Sequence, residues 1–300
     1  MLELAHQDHG SKPWDTLFQP GIRLASDGFA VSGRMASAIA GARNDLLRDP
    51  EATAYFLNPD LSPRALGSTI RNPDYAATLR SIAQGGANAF YTGPIAQAIV
   101  DKVKVTSGGA TSTVAITPGL MALRDLSGYR SIRREPVCGN YRDTVVCGMG
   151  PPSSGGIAVA QTLGILENFD LAAYPPTAIN GEGGKPAVMA VHLVSEAERL
   201  AYADRNRYVA DTDYVSLPGM GVSSLLNRDY LRGRAAMISM TRSMGTATAG
   251  QFGGAPMGSN VAEGLGTSHV SIVDKFGNVA VMTTTSKAAW ARSTSRGAFC

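Results

Sequence analysis

Alternating apolar and polar side chains near the C-terminal end of the chain give the clearest structural prediction. Residues 267–273 and 279–285 both alternate, and a glycine–asparagine pair lies in the segment between them. This pattern is typical of a β-hairpin. If the loop covers residues 274–278, Val273 pairs with Val279, and the open end of the hairpin lies at the far ends of the two strands.

The register of this hairpin brings two threonines together. Counting outward in antiparallel order, Thr267 lies directly opposite Thr285, and the Cβ atoms of directly opposed residues are about 4.5–5.5 Å apart. We therefore expect two hydroxyl groups to meet at the open end. The other face is apolar, and we expect that face to be buried. It consists of Val270, Ile272, Ala280 and Met282.

Most of the remaining regular structure is predicted to be helical, from apolar positions at helical spacing and from Pro, Asn and Gly signals at the ends. The predicted helices cover residues 14–25, 32–47, 72–82, 95–105, 117–126, 157–169 and 188–207. Residues 137–149 alternate and predict one or two strands, with a turn at Gly139 and Asn140. Loops are predicted at 181–184 and at 246–263, and the second is expected to be mobile.

Composition narrows the classes of function. A chain of 300 residues suffices for one domain or two. Its net charge of +3 is small and dispersed, which argues against nucleic-acid binding. No apolar run reaches the ~18 residues of a membrane span. The N-terminus lacks a basic region followed by an apolar one, so no signal peptide is predicted, and a cytoplasmic location is the default expectation.

The three cysteines are Cys138, Cys147 and Cys300, and their spacing is not that of a metal site. Cys138 and Cys147 flank Arg142 and Asp143 and can face each other across a hairpin. We favour two small buried thiols over that pairing. On this interpretation the cysteines do not fix the redox compartment.

Several other polar residues have both a chemical and a structural interpretation. His6 and His9 have a ligand-like spacing, but no carboxylate or cysteine cluster accompanies them, so we expect them to be solvated near the N-terminus. His192 is expected to be partly buried and hydrogen-bonded. For Asp204 and Arg205 we favour a buried or capping ion pair over a catalytic role.

Residues 153–156 form a Ser-Ser-Gly-Gly segment before a predicted helix. One interpretation is an anion cradle at the helix N-terminus. We favour a helix cap with close glycine packing, because no lysine follows as in a phosphate-binding loop. A Ser-His-Asp triad is not supported either, because the chain has no Gly-x-Ser-x-Gly elbow.

The bond between Gly266 and Thr267 has the chemistry that a self-cleaving precursor requires. The threonine hydroxyl attacks the preceding carbonyl, an ester forms, and hydrolysis frees a threonine whose own α-amine can act as a base. The unperturbed pKa of an α-amine is ~7.7–8.0, which suits activation of a hydroxyl near neutral pH. From the residues alone, we favour an ordinary β-branched residue at the start of a strand as the interpretation of Thr267.

The GTSHVSIVD sequence at 266–274, followed by GNVAV at 277–281, resembles the processing site of the γ-glutamyltransferases, also called γ-glutamyltranspeptidases or glutathione hydrolases. Other matching segments follow in family order. They are FYTGPIA at 90–96, EPVCGNYR at 135–142, PPSSGGI at 151–157, LENFD at 166–170 and AYADR at 201–205. The resemblance covers residues 1–285.

This resemblance implies an α+β fold, the αββα sandwich of the N-terminal-nucleophile hydrolases, here incomplete. Residues 1–266 correspond to the large-subunit portion, ending in a flexible processing loop at 246–266. Residues 267–285 correspond to the start of the small subunit. Residues 286–300 are a tail without family resemblance, and a frameshift would explain its composition.

The resemblance also implies residue roles and partners. Thr267 is the nucleophile and the autoprocessing residue, Thr285 supports it, and His269 gives local support. The family moves a γ-glutamyl group from glutathione or another γ-glutamyl small molecule to water or to an amine or amino-acid acceptor. It implies no metal and no cofactor, two subunits from one precursor, and export of the full-length bacterial relatives.

Departures from the family pattern favour a rival interpretation. The first residue aligns inside the large subunit, and Lys287 stands where relatives carry an asparagine. We therefore expect truncation at both ends and no appreciable self-cleavage by the 300-residue chain. The rival is a non-catalytic remnant or pseudoenzyme, and a glutaryl-type acylase of the same fold is a further alternative.

Overall fold

A computed structural model describes residues 1–106, 116–181, 183–252 and 267–285. It divides the chain into two compact units, the first formed by residues 1–132 with 263–300 and the second by residues 133–262. Both units contain helices and short antiparallel strand pairs. The α+β class is confirmed, and the described strands form four two-stranded sheets rather than a complete sandwich.

The first unit is mainly helical. Its α-helices are α1 Leu2–His9, α2 Gln19–Asp27, α3 Gly33–Gly41, α4 Arg43–Leu46, α5 Pro50–Phe56, α6 Pro73–Gly85, α7 Asn88–Tyr91, α8 Gly93–Val103 and α9 Leu123–Ser127. A 3₁₀ helix, Trp14–Phe18, precedes α2, and strands β1 Phe29–Ala30 and β2 Thr69–Ile70 pair antiparallel. The helix predicted at 32–47 is two helices, and the one predicted from 117 begins only at Leu123.

Side-chain caps explain where several of these helices begin. Asn72 Oδ1 accepts a hydrogen bond from Tyr75 N at 2.9 Å, and Pro73 occupies the first helical turn, where its missing N–H costs nothing. The predicted start of this helix is confirmed. The core of the unit contains large apolar side chains that are almost fully buried, namely Val31, Ile39, Leu46, Phe56, Leu57 and Ile70.

The second unit is built around two long helices. Its elements are β3 Val137–Tyr141, β4 Thr144–Gly148, α10 Gly155–Leu166, β5 Thr177–Asn180, β6 Gly183–Lys185, α11 Val188–Tyr208, α12 Val222–Leu225 and α13 Arg228–Ala235. Helices α10, α11 and α13 share a core that includes Ile165, Leu166, Leu193, Leu200 and Leu231. The loop predicted at 181–184 is part of the β5–β6 hairpin.

Glycines allow the β3–β4 hairpin to lie directly against the start of α10. A Cβ atom added at Gly148 would lie 2.8 Å from the Cα atom of Gly156, and one added at Gly156 would lie 2.6 Å from the Met149 carbonyl oxygen. The close glycine packing predicted for residues 153–156 is confirmed. The predicted cap was wrong, because Ser154 is the N-cap residue of α10 and makes no capping hydrogen bond with its side chain. The hydroxyl of Ser154 accepts a hydrogen bond from Arg205 Nε at 3.0 Å.

Two predictions about the β3–β4 hairpin were wrong. Gly139 and Asn140 pair within the strand, and the turn lies at residues 142–143, where the Arg142 backbone N–H donates to Glu167 Oε1 at 2.9 Å. Cys138 and Cys147 are directly opposed and form a disulfide, and both are exposed rather than buried. The antiparallel register explains this outcome, because it sets the two Cβ atoms within bonding reach.

Strands β7 Thr267–Val273 and β8 Val279–Thr285 form the last hairpin. None of the helices within the described residues is long and apolar enough to cross a membrane.

Candidate active site

The β7–β8 hairpin has the register predicted from its sequence. Val273 pairs with Val279, Ile272 with Ala280, and the pairing continues without a bulge to Thr267 opposite Thr285. The two threonines thus occupy neighbouring positions at the open end. The side chain of Thr285 and all of Gly266 lie outside the described residues, as does most of the processing loop predicted at 246–266.

A polar turn closes the other end of the hairpin. Asp274 Oδ1 accepts hydrogen bonds from the backbone N–H groups of Phe276 at 2.8 Å and Asn278 at 2.9 Å, and Oδ2 accepts from Asn278 Nδ2 at 2.9 Å. Gly277 adopts φ +85°, which a glycine does without strain. Hydrogen bonds from the side chain and backbone of Asn278 hold the pKa of Asp274 below its ordinary value.

His269 lies on the same face of β7 as Thr267, since the two are separated by one residue. Its Nδ1 is 2.8 Å from Thr283 Oγ1, and its Nε2 is 2.9 Å from Ser271 Oγ. In the neutral imidazole one nitrogen donates and the other accepts. The sequence had singled out His269 but not its hydroxyl partners. Alternation and register together identify both, because Ser271 is the next residue on that face and Thr283 is the cross-strand partner.

The prediction that the Val270–Ile272 face is buried was wrong. Every described side chain from Thr267 to Thr284 is exposed, including Val270 at 48% and Ile272 at 57%. The reverse face also carries exposed valines, Val273, Val279 and Val281. Alternation reports which residues share a face, but burial depends on another layer packing against it.

Two other histidines, His6 and His192, contact backbone carbonyl groups. His6 Nε2 is 2.7 Å from the Lys12 carbonyl oxygen, and His192 Nε2 is 2.7 Å from that of Ser239. The partly buried, hydrogen-bonded position predicted for His192 is confirmed. Across the described ranges, no group of three His, Cys, Asp or Glu side chains is arranged to hold a metal ion.

Asp204 forms the predicted buried ion pair, but its partner is Arg234, which is 30 residues away in the sequence. Asp204 Oδ1 is 3.2 Å from Arg234 Nη2, and both side chains are almost completely buried. Arg205 points elsewhere and donates to Ser154 and Asn206. Tyr230 donates its hydroxyl to Asp204 Oδ2, and burial together with this carboxylate raises the pKa of the Tyr230 phenol.

Comparison with known proteins identifies the family of this chain. Residues 1–291 match the family model described as gamma-glutamyltranspeptidase. The chain belongs to the γ-glutamyltranspeptidase family. That match includes the β7–β8 hairpin and both threonines at its open end.

Individual γ-glutamyltranspeptidase relatives agree with this assignment. The glutathione hydrolase proenzyme of Escherichia coli K12 is 32% identical over 284 residues, covering 95% of this chain and 44% of that protein. The acylase ACY 1 proenzyme of Pseudomonas sp. V22 is 36% identical over 276 residues, covering 92% and 44%. The chain therefore spans less than half the length of these curated relatives.

A solved γ-glutamyltranspeptidase shares the fold. The Helicobacter pylori enzyme superposes with a TM-score of 0.69 at 32% identity, over 81% of this chain and 63% of that one. The fold expected for an N-terminal-nucleophile hydrolase, present here in part, is thereby confirmed.

Proposed function

We propose that this chain is part of a γ-glutamyltransferase precursor in which Thr267 is both the autoprocessing residue and the nucleophile. The observation that carries the proposal is the register that sets Thr267 opposite Thr285 at the open end of the hairpin, in a chain of this family. Residues 1–266 are the large-subunit portion, and residues 267–285 begin the small subunit. The family match continues to residue 291, past the point where the sequence predicted an unrelated tail.

Self-cleavage follows from the chemistry of the Gly266–Thr267 bond. The Thr267 hydroxyl gives up its proton and attacks the Gly266 carbonyl carbon, and the peptide C–N bond breaks as the Thr267 nitrogen takes up a proton. The resulting ester is hydrolysed by water, which leaves a carboxylate on Gly266 and a free α-amine on Thr267. That amine can then accept the proton of its own hydroxyl.

In the mature enzyme the same hydroxyl accepts the γ-glutamyl group. It attacks the γ-carbonyl of glutathione or another γ-glutamyl amide, the amine departs with a proton, and an acyl-enzyme remains. Water or an amine acceptor then takes the acyl group and restores the hydroxyl. Thr285 supports the nucleophile across the strand pair, and His269 gives local support through Thr283 and Ser271.

A second substrate class has its own support. The acylase proenzyme from Pseudomonas matches over nearly the same residues as the glutathione hydrolase, at a similar identity. Glutaryl-type acyl transfer is therefore the alternative within the same mechanism. Both substrate classes use the threonine nucleophile. They differ in the donor, because a γ-glutamyl group carries an α-amine beside its carboxylate and a glutaryl group carries the carboxylate alone.

We also infer that the protein works in an oxidising compartment. The Cys138–Cys147 disulfide is exposed on a hairpin, and disulfides of this kind persist outside the reducing cytosol. This inference replaces the default cytoplasmic expectation and agrees with the export that the resemblance implies for full-length bacterial relatives. Alkylation of the protein without reductant tests it, because both cysteines should stay unmodified until a reductant is added.

The test of the proposed function uses an extended precursor, in which the regions of the Escherichia coli glutathione hydrolase outside the matched segment flank residues 1–285 of this chain. We expect a fragment beginning at Thr267 by intact-mass spectrometry, together with release of the chromogenic amine from a γ-glutamyl anilide. A glutaryl anilide separates the alternative substrate class.

Substitution of the nucleophile provides the decisive variants. Thr267→Ala should abolish both cleavage and turnover, whereas Thr267→Ser should retain part of each, since it keeps a hydroxyl and an α-amine. Turnover by the Thr267→Ala precursor would refute the assignment. An extended precursor that remains one uncut chain without activity would favour the non-catalytic remnant instead.

A further inference from the structure

Residues 243–250 of the second unit have no helix or strand structure, and we call them the strap. Side chains of α11 hold the start of the strap. Glu196 accepts hydrogen bonds from Ser243 Oγ at 2.6 Å and from the Met244 backbone N–H at 2.8 Å. Arg199 Nη1 donates to the Gly245 carbonyl oxygen at 2.6 Å. One turn of α11 thus binds three consecutive residues of the strap.

A second set of side chains holds the end of the strap. Asp204 Oδ1 accepts from the Gly250 backbone N–H at 2.7 Å, and Tyr208 Oη donates to the Gly250 carbonyl oxygen at 2.7 Å. Arg234 Nη2, from α13, donates to the Thr248 carbonyl oxygen at 2.8 Å. Both polar groups of the Gly250 backbone are therefore bound by side chains of α11.

Glycine is required at this second attachment point. A Cβ atom added at Gly250 would overlap the hydroxyl oxygen of Tyr230 and crowd its ring. Tyr230 itself donates to Asp204 Oδ2. The close approach of Gly250 therefore depends on the hydrogen-bond network of Asp204, Tyr230 and Arg234, and the network depends on it. The strap thus contacts the network directly, while its apolar residues Met244 and Ala247 pack against the core of the second unit.

Burying two carboxylates beneath an irregular segment is energetically demanding. Glu196 and Asp204 are each 1% exposed, and an unpaired buried carboxylate is strongly unfavourable. Arg199 Nε lies 3.3 Å from Glu196, and Arg234 Nη2 lies 3.2 Å from Asp204. Glu196 directs both of its hydrogen bonds from Ser243 and Met244 to the strap. Asp204 binds the strap through Gly250 and also accepts hydrogen bonds from Gln161 Nε2 at 3.1 Å and from Tyr230. Different carboxylates therefore bind the two ends of the strap.

The position of the strap in the sequence gives these contacts a role. Residues 251–266 follow it and end at the bond proposed to be cleaved. Attack by Thr267 requires its hydroxyl and the Gly266 carbonyl to meet in a defined geometry, and small displacements of reacting groups cost large factors in rate. A chain segment that is fixed close to the reacting bond adopts fewer conformations than a longer segment that is fixed further upstream.

We propose that Glu196 and Asp204 are positioning residues for cleavage before Thr267, because they anchor the strap from which the segment carrying the bond departs. This inference rests on the proposed function. The two carboxylates act through the backbone of the strap and take no part in the bond-breaking step. Their effect belongs to the precursor, since after cleavage the strap no longer connects to Thr267.

The test compares precursor cleavage with turnover by an enzyme that bypasses it. Glu196→Gln and Asp204→Asn are introduced into the extended precursor and also into a two-chain form, in which the portion from Thr267 onward is produced separately with Thr267 as its first residue. We expect precursor cleavage to slow by about tenfold or more. Turnover of the γ-glutamyl anilide by the two-chain form should stay within about twofold of the parent.

Glu198→Gln is the matched control, because Glu198 lies on the same helix and is exposed. It should leave both rates unchanged. Cleavage of the Glu196→Gln and Asp204→Asn precursors at the parental rate would overturn the inference while leaving the proposed function intact. Equal losses in cleavage and two-chain turnover would also overturn it, since they indicate a general loss of folding. A parent precursor that does not cleave would refute the proposed function itself, and this inference with it.

Hydrogen exchange in the 300-residue chain tests the anchoring directly. Glu196→Gln should speed exchange at the Met244 amide, and Asp204→Asn should speed it at the Gly250 amide, each with little effect at the other site. Faster exchange throughout the second unit in both variants would contradict two independent attachments.

Discussion

Asp274 holds Asn278 across the turn of the β7–β8 hairpin, with one carboxylate oxygen on the backbone N–H and the other on the side-chain amide, each at 2.9 Å. This turn lies at the opposite end of the hairpin from the Thr267–Thr285 pair. Because a slip of one residue would move Thr267 to the other face, the turn chemistry helps to decide which residue faces Thr285.

The Asp274 turn should loosen in acid. The folded-state pKa of Asp274 lies below its ordinary value, so its contribution is present above the unfolded pKa of ~3.9 and is lost as the pH falls through the folded value. Exchange of the Asn278 amide, corrected for intrinsic rates, should therefore accelerate in that range. Asp274→Asn should show the faster exchange at neutral pH already. An Asn278 amide equally protected above and below this range would contradict the prediction.

His269 and Thr283 should stabilise the hairpin cooperatively. A double-mutant cycle with His269→Ala and Thr283→Val should give a coupling of about 0.2–1 kcal/mol in local hairpin stability, as for other cross-strand pairs. Hydrogen exchange of the backbone amides of β8 measures the local stability of the hairpin in each variant. Ser268 and Thr284 are directly opposed on the other face, and the same cycle there is the control. A coupling energy near zero for His269 and Thr283 would contradict the prediction.

The Cys138–Cys147 disulfide should stabilise the second unit. Closing a loop of this sequence separation, 9 residues, is expected to contribute about 2–3 kcal/mol through the unfolded state. The double variant Cys138→Ser, Cys147→Ser should lower the denaturant midpoint accordingly, with an unchanged m-value. Reduction of the parent should reproduce the effect, while adding reductant to the double variant should change nothing. A midpoint shared by parent and variant would show that the disulfide is dispensable.

Glu196 should make the second unit sensitive to acid. Burial raises the pKa of Glu196, but hydrogen bonds from Ser243 and Met244, with the electrostatic influence of nearby His192 and Arg199, outweigh it and leave the pKa below its ordinary value. Its stabilising contribution is thus present above the unfolded pKa of ~4.3 and is lost as the pH falls through the folded value. Denaturant titrations at several pH values should show that the free energy of unfolding falls more steeply in acid for the parent than for Glu196→Gln. The same pH dependence in both proteins would refute the prediction.

Two helix glycines should respond in opposite directions to alanine. At Gly156 the added Cβ would meet backbone atoms of Gly148 and Met149 at under 3.0 Å, so we expect a loss of about 1–3 kcal/mol. At Gly233, inside α13, nothing lies within 4 Å of the added Cβ. Gly233→Ala should therefore gain roughly 0.5–1 kcal/mol from helix propensity. Thermal unfolding of both variants provides the comparison, and a neutral Gly156→Ala would contradict the close packing.

Local patterns were sufficient wherever the interacting residues are near each other in the chain. The β7–β8 register followed from alternation and one short loop, which is why the Thr267–Thr285 pairing was predicted correctly. The Asn72 cap was predicted for the same reason, since it acts on residues of its own first turn. The turn between β3 and β4 was misplaced because a glycine–asparagine pair is common in turns, yet here Gly139 and Asn140 pair across the sheet with Val146 and Val145.

Partners distant in sequence were decided only by the tertiary structure. The sequence suggested a buried ion pair at Asp204, but the identity of Arg234 depends on how α11 and α13 pack. The strap contacts of Glu196, 47 and 48 residues away along the chain, left no local signal. The sequence by itself thus determined the hairpin, its register and its family. The packing of separate elements alone decided which faces are covered and which buried charges meet, because burial and long-range pairing are properties of two surfaces and not of one segment.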